Sequence, residues 1–508
     1  MYTNIPIKTK NFKFYLLFLC IFLFAYSLAF IEEFFSIDDS FFYYSTAVNS
    51  DSFFLTTYDG FTYTNGYQPL WMLVTYVAYS IVNTIGLQDY FLNVILFINL
   101  SFLFGFMVIF RKLLIDFDIN LPKSPYELYF LILFSPIIFI HPVLNSFFIF
   151  GGGIEFQLTL FLFVLWIRNA IKLSEVSVIR LAFLTILLIL ARLDSAVILA
   201  PYFIYYSLVN RKKRVFISGI LVFIVISLWL IFNHITYGSL MPISGEIKSL
   251  WGSYNTNAGS FIERVKDLIL AWLPISRIFI NGEYVIPVIR IIKTLLVFFI
   301  FGYLLRELVL NKNFKTHIQI IMKKFEGFLY LLCIGFLLFI GYLSSHLFTE
   351  TKFWYYSFFY ILIGILFSSL IFRREYLLIK KIFITYSLLT LLEFGLYAID
   401  TPSINQNAQK RDILKEVEEF AGNRRLVTPN SGYYGWISNN TLSNMDGLMS
   451  DKDYFNQLSN NTIARYWSDK NVVIFIKKSY LEKWPYQFIL FEFNCVELTT
   501  DNTIIVCE

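Results

Sequence analysis

Long apolar stretches dominate the chain up to about residue 400. Each holds roughly 16 to 25 mostly apolar residues, the length that a helix needs to cross a hydrocarbon core about 30 Å thick. The stretches lie at residues 14–31, 69–86, 89–110, 127–144, 156–171, 176–191, 194–210, 214–235, 284–308, 327–348, 354–372 and 379–398. This pattern predicts an all-α polytopic membrane domain over residues 1–399.

One stretch is predicted not to cross the membrane. Within 69–86, polar side chains including Thr75 fall on one half of a helical wheel and apolar side chains on the other half, as in a helix that lies at the membrane interface. If the stretch at 69–86 does not cross, the Lys and Arg clusters all lie on the inner side of the membrane, as the positive-inside rule requires. About eleven spans then remain, with the N-terminus inside. The predicted outer segments are residues 32–88, 145–155, 192–194, 236–283 and everything from 400 onwards.

The chain changes character after residue 400, where Asn, Asp, Lys and Ser replace the Phe and Leu runs. Residues 400–508 are therefore predicted to form a small α/β extracytoplasmic domain. The predicted elements are a helix at 407–421, strands at 425–428 and 472–476, and a hairpin of 491–498 with 503–507. Cys495 and Cys507 would face each other across that hairpin, and whether they are bonded stays open.

Composition supports a membrane location. Of 508 residues 57% are hydrophobic and 20% aromatic, with a mean hydropathy of +0.62, which excludes a soluble globular enzyme. The net charge is only +5, and the Lys and Arg residues lie in clusters between the apolar stretches rather than on one binding face, so no nucleic acid partner is expected. Four isolated His and four scattered Cys show no zinc-ligand spacing, so no metal is required.

Acidic residues in the predicted outer segments are the first candidates for chemistry, because charges held at an interface often serve a function. Asp38 and Asp39 follow the first predicted span after a few residues, and an aromatic run comes next. Two adjacent carboxylates repel each other, so one of them holds a proton more readily. The alternative is a helix N-cap, which Asp favours without any catalytic role.

Three further outer segments carry polar groups. Gln68 lies in a turn-rich stretch that leads into the interfacial helix, which is also a plain helix entry. Glu155 follows three glycines, which allow another backbone to approach closely. Arg192 and Asp194 form a charged turn between two short spans, where a self-contained ion pair is equally expected. Lys248, in the outer segment 236–283, and Lys352, in the short segment between the stretches at 327–348 and 354–372, could supply cations to an anionic head group.

Several short motifs follow one another along the chain: Asp38-Asp39, Asp59-Gly60 with Thr64 to Trp71, Gly153 to Glu155, Leu190 to Asp194, Pro242 to Gly245, and Asn444 to Leu448. Together these motifs resemble a bacterial branch of the GT-C membrane glycosyltransferases, a superfamily that includes protein mannosyltransferases and the aminoarabinose transferase. The similarity spans most of the chain. One departure is Gln68, where His is usual in that branch, so a proton or phosphate role at this position is in doubt.

The resemblance implies an acidic base in the first outer loop, two juxtamembrane helices, and a polyprenyl-phosphate-linked sugar as donor. Asp39 is favoured as the base because it is better spaced against Tyr43, with Asp38 as the other candidate. Glu155, Arg192, Asp194, Gln68, Lys248 and Lys352 are the candidate substrate-binding residues. No cofactor is required, although some members of the superfamily use a divalent ion.

The predicted function is transfer of a sugar to a lipid, glycan or protein acceptor on the outer face of the cytoplasmic membrane. A lipid-linked donor suits that face, since nucleotide sugars are confined to the cytosol. The alternative is a transporter or flippase for lipid-linked glycans. Transporters often show repeated halves and polar groups at the bilayer midplane, and neither pattern occurs in this sequence.

Overall fold

The computed structural model describes residues 38–117, 151–172, 176–254, 285–312, 328–345 and 402–508, with gaps at 469, 483–484, 499–500 and 502 and a few isolated helical positions between 262 and 392. The predicted spans at 14–31, 127–144 and 354–372 and most of 379–398 lie outside these residues.

The described part up to residue 345 is helical. Its helices are α1 (Asp38–Asn49), α2 (Pro69–Thr84), α3 (Phe91–Asp116), α4 (Phe156–Ala170), α5 (Val178–Ala191), α6 (Ser195–Ile204), α7 (Lys213–Tyr237), α8 (Ile243–Tyr254), α9 (Val285–Leu310) and α10 (Phe328–Ser345). Helices α3, α4, α5, α6, α7, α9 and α10 match predicted apolar stretches in type and closely in position. The number of about eleven spans stays a prediction.

Two helices among the described residues are long and apolar enough to cross a membrane. They are Gln88–Asp116, which joins a short 3-10 turn to α3, and α7 with 25 residues. Helix α7 exposes large apolar side chains along its length, such as Phe223 at 72% and Ile235 at 78%. A helix that is apolar all round and exposed is suited to hydrocarbon rather than to water.

Helix α2 bears out the predicted helix but not its predicted faces. Its 16 residues rise about 24 Å, less than a hydrocarbon core requires. Thr75, predicted on the polar face, is fully buried, and its hydroxyl donates to the Trp71 carbonyl within the helix at 2.9 Å. Leu73, Val77 and Ile81 form an exposed apolar stripe. The helical wheel misassigned Thr75 because this intrahelical bond lets a threonine sit in a core.

Residues 402–508 form an α/β unit around a five-stranded sheet. Its elements are α11 (Pro402–Ala421), β1 (Arg425–Thr428), α12 (Gly432–Ile437), β2 (Leu442–Asn444), α13 (Lys452–Ser459), α14 (Ile463–Ser468), β3 (Val472–Lys477), α15 (Lys478–Leu481), α16 (Ile489–Glu492), β4 (Cys495–Glu497) and β5 (Ile504–Cys507). The strand order is β2-β1-β3-β5-β4. Strands β2, β1 and β3 are parallel, and β5 pairs antiparallel with β3 and β4.

The sheet is covered on both faces, as expected from the continuous apolar run of β3, whose successive side chains point to opposite faces. Val427 and Ile474 belong to a cluster with α13 and α14, whereas Leu426 and Val473 pack with α11.

The terminal hairpin is shorter than predicted. Residues 491 and 492 end the short helix α16 rather than opening a strand, because Ile489 turns into the core there. Strand β2, which the sequence analysis missed, adds an edge beside β1. Cys495 and Cys507 lie directly opposite each other on β4 and β5 and are disulfide bonded.

The α/β unit docks on α1 and the loop that follows it. Helix α12 packs on α1, where the ring of Tyr433 lies 5.2 Å from that of Phe41. The approach is close, because a Cβ on Gly432 would lie 2.0 Å from the backbone oxygen of Asp38. Beside it, the Asp59 carboxylate accepts from the Arg425 guanidinium.

Candidate functional site

A small cavity of about 90 Å³ lies where the apolar helices meet the α/β unit. We call it the Asp39 cavity. It is lined by Asp39, Phe42, Tyr43, Gly66, Tyr67, Gln68, Ile154, Glu155, Arg192, Ser244, Lys248, Leu448 and Met449. Asp39, Gln68, Glu155, Arg192 and Lys248 were all predicted as site residues from separate segments of the sequence, and the fold brings them together here. Lys352 lies outside the described residues.

Arg192 is the centre of a buried ionic group. It is 3% exposed and Glu155 is 5% exposed. The Arg192 Nη1 lies 3.4 Å from Glu155 Oε1, and Nη2 donates to Asp194 Oδ2 at 3.0 Å. Asp194 is not among the residues that line the cavity, but it contacts Arg192, which is. Burial raises the pKa of Glu155, and the neighbouring Arg192 charge opposes that rise.

Tyr43 and Gln68 connect this group to α1 and to the entry of α2. The Gln68 backbone N–H donates to the Tyr43 hydroxyl at 3.1 Å, and that hydroxyl donates to Glu155 Oε2 at 3.3 Å. The Gln68 side-chain oxygen accepts from the Leu193 N–H at 3.0 Å. Gln68 thus holds the turn that carries Arg192.

The glycine turn before Glu155 allows close packing. Gly153 has a φ of +75°, and a Cβ there would lie 2.0 Å from the Tyr44 hydroxyl. The Gly153 carbonyl accepts from the Trp71 indole N–H at 3.1 Å. The segments that approach the glycine turn closely are therefore α1 and α2. Their contacts fix the position of Glu155, which lies at the N-cap of α4.

Asp39 and Asp38 have different surroundings. Asp39 lines the Asp39 cavity, and within the described part of the chain its carboxylate has no hydrogen bond or ion pair. Asp38 instead accepts from the backbone N–H groups of Gly432 at 3.3 Å and Tyr433 at 3.1 Å. Asp38 thus caps α12, a helix of the α/β unit, where a negative charge is favoured by the helix dipole.

Burial raises the pKa of Asp38 to about 6, against an ordinary value of 3.8, and Lys410 opposes this rise. The Lys410 Nζ lies 3.8 Å from Asp38 Oδ1. The side chain of Asp38 is therefore committed to docking the α/β unit, whereas that of Asp39 is available to a ligand.

Helix α8 brings Lys248 and Ser244 to the cavity. The Asn65 side-chain oxygen accepts from the Ile243 N–H at 3.0 Å, which fixes the start of the helix. Glu246 pairs with Lys452 of the α/β unit at 2.6 Å. A cation is thus held on a helix that is anchored on two sides.

The sequence analysis did not assign Tyr43, Leu448 or Met449 to the site. Tyr43 lies one helical turn after Asp39, and that spacing was a usable signal. Leu448 and Met449 come from the α/β unit, where a Cβ on Gly66 would lie 1.8 Å from the Leu448 carbonyl oxygen. Leu448 ends the segment that resembles the GT-C branch, and Met449 follows it directly.

Within the described residues, no group of three or more His, Cys, Asp or Glu side chains is placed to hold a metal ion.

Comparisons with known proteins give a likeness at the level of structure. No protein-family model matches the chain, and no curated protein matches it. The chain is similar to a solved structure described as the crystal structure of ArnT from Cupriavidus metallidurans in the apo state. The two share 13% identity over 98% of each chain, with a TM-score of 0.45.

Proposed function

We propose that the chain is a membrane glycosyltransferase of GT-C type, with Asp39 as the general base and a polyprenyl-phosphate-linked sugar as donor. One observation carries this proposal. Asp39, whose carboxylate no described residue engages, shares a cavity with Lys248 and with the buried group around Arg192. An available base and a cation beside an apolar helical region suit transfer from a lipid-linked phosphate.

The reaction assigns one task to each kind of group. Asp39 takes the proton of an acceptor hydroxyl, whose oxygen then bonds to the anomeric carbon of the sugar. The bond from that carbon to the phosphate oxygen breaks, and polyprenyl phosphate leaves with its electron pair. General-base assistance contributes roughly 100-fold to 10,000-fold to such a step.

Lys248 is the proposed partner of the departing phosphate. The other candidate cations from the sequence are Arg192 and Lys352. Lys352 lies outside the described residues, and the charge of Arg192 faces the carboxylates of Glu155 and Asp194. These ion pairs suit Arg192 to a structural role, in which it fixes the positions of Glu155 and Asp194. A cation fixed before the reaction stabilises charge that develops on the leaving oxygen without reorganisation at that moment.

Transfer and transport can be separated in proteoliposomes that hold the full chain and a panel of radiolabelled polyprenyl-phosphate sugars. We expect wild-type protein to form a new glycosidic bond with one of these donors. The Asp39→Asn variant should lose at least 100-fold of that rate. Asp51→Asn is the matched control, since Asp51 is an exposed acid in the same outer segment. Label that crosses the bilayer without a new glycosidic bond would contradict the proposal and favour a flippase.

A further inference from the structure

A second cavity lies beside the first turn of α1, between Asp38 and the α/β unit. We call it the Asp38 cavity, and its volume is about 480 Å³. It is lined by Asp38, Gln409, Lys410, Ile413, Thr428, Pro429, Asn430, Tyr434, Phe475, Ile476, Lys477, Tyr480, Asp501 and Ile504. This volume falls in the range of about 300 to 1,000 Å³ that is usual for small-molecule sites.

The position of the Asp38 cavity in the sheet is one where ligands bind. Parallel strands β1 and β3 are neighbours, yet the chain leaves β1 towards β2 on one side and leaves β3 towards the opposite edge. The two connections diverge at the carboxyl ends of these strands, which creates a crevice there. The cavity lining includes residues that end or follow these two strands: Thr428, Pro429 and Asn430 for β1, and Ile476, Lys477 and Tyr480 for β3.

The charges of the lining balance. Asp38 and Asp501 contribute two carboxylates, and Lys410 and Lys477 contribute two ammonium groups. Lys410 lies 3.8 Å from Asp38, so neither charge is left to attract a strongly ionic ligand. The balance favours a ligand without net charge.

The remaining groups combine aromatic rings with amides. Tyr434 packs edge-on against Phe475, with ring centroids 5.1 Å apart. Tyr480 accepts from the Asn430 side-chain amide at 2.8 Å, and Gln409 donates to Asp501 at 3.2 Å. Such a wall offers apolar ring surface beside closely spaced donors and acceptors. A sugar matches it, because its hydroxyls bond to the polar groups and its C–H surface covers a ring.

We propose that the Asp38 cavity binds a neutral sugar unit of the acceptor, which makes the acceptor a glycan. This inference rests on the proposed transferase function. Asp38 and Asp39 are consecutive, with Cα atoms about 3.8 Å apart, and they face the two cavities. An acceptor glycan can therefore lie with one unit in the Asp38 cavity and a reacting hydroxyl near Asp39.

Saturation-transfer NMR on the full chain in nanodiscs tests the proposal, with the methyl glycosides of glucose, galactose, mannose and N-acetylglucosamine as probes. At least one probe should bind to wild-type protein. Tyr480→Ala should weaken that binding about fivefold to tenfold, the usual value of one aromatic contact. Tyr480→Phe keeps the ring and should retain most of the binding. Phe491→Ala is the control, because Phe491 is 85% exposed and lies outside the cavity.

The outcomes separate the two proposals. Absence of binding by all four glycosides, or equal binding by wild type and Tyr480→Ala, overturns the acceptor site and leaves transfer by Asp39 intact. Preference for the methyl glycoside of glucuronic acid over the neutral probes overturns the assignment of a neutral ligand. Sugar binding in a protein that transfers from no donor overturns the proposed function instead. Asp39→Asn should abolish transfer while glycoside binding persists.

Discussion

Replacing Arg192 by Met tests whether the buried ionic group holds the site together. The substitution removes the cation between Glu155 and Asp194 while keeping a side chain of similar length. Arg192 and Glu155 have side-chain exposures of only 3% and 6%, so solvent cannot replace the lost charge. Removing one partner of such a pair costs about 3 to 5 kcal/mol, because the other charge stays buried and uncompensated.

A double-mutant cycle isolates that contribution. Glu155→Gln removes the carboxylate charge and keeps an acceptor for the Tyr43 hydroxyl. In the double variant the methionine that replaces Arg192 no longer faces a buried charge at position 155, so we expect roughly 1 to 3 kcal/mol of the single losses to be recovered. The free energy of unfolding is measured by denaturant titration in mixed micelles.

A partly exposed ion pair on the neighbouring helix α4 supplies the control. Arg168 pairs with Asp116 at 2.7 Å, where its side chain is 30% exposed and Lys172 is a second partner of the carboxylate. Arg168→Met should therefore cost about 1 kcal/mol or less. The buried ionic group does not hold the site together if Arg192→Met costs no more than this control, or if the cycle is additive within about 0.5 kcal/mol.

Three further predictions concern how α1 and the α/β unit are held. Gly153→Ala should lower stability by about 1 to 3 kcal/mol, since its Cβ would meet a buried tyrosine hydroxyl and its φ is positive; thermal unfolding measures the loss, and an unchanged midpoint contradicts it. Asp38 binds protons more tightly when folded, so its contribution to stability should fall as pH rises from its ordinary pKa of 3.8 to about 6. The difference in unfolding midpoint between wild type and Asp38→Asn should change over this pH range and stay constant above pH about 6. A difference that does not change with pH contradicts the raised pKa of Asp38. Arg425→Met should expose the 402–508 unit to protease by breaking its pair with Asp59, whereas Arg424→Met, which loses a more exposed pair, should not; equal cleavage rates contradict this.

The helices were predictable because a long apolar stretch favours a helix, in which the backbone groups bond to one another. Every described apolar helix up to residue 345 coincides with a stretch read from the sequence. The same holds for β1 and β3, whose apolar runs are bounded by polar turns. Strand β2 was missed, since Leu442 to Asn444 show no strand-like composition. Strand β2 packs beside the loop that follows α1, where Asp59 accepts from the Ser443 hydroxyl at 2.7 Å.

The residues of the candidate site could be predicted from the sequence, but which of them line the cavity could not. Outer acidic and basic residues could be selected from the sequence, and the fold gathers Asp39, Glu155, Arg192 and Lys248 around one cavity. Which of Asp38 and Asp39 faces that cavity depends on Gly432 and its helix, almost 400 residues later in the chain. No local pattern around Asp38 carries that information, because the contact forms only when the α/β unit docks.

The role of Asp39 is tested most directly by single-turnover sugar transfer with Asp39→Asn and Asp38→Asn proteins, compared with wild type at saturating donor. We expect Asp39→Asn to lower the rate of the chemical step at least 100-fold, whereas Asp38→Asn lowers it far less, with both proteins folded. A loss in Asp38→Asn that equals or exceeds the loss in Asp39→Asn would contradict the assignment of Asp39 as the base.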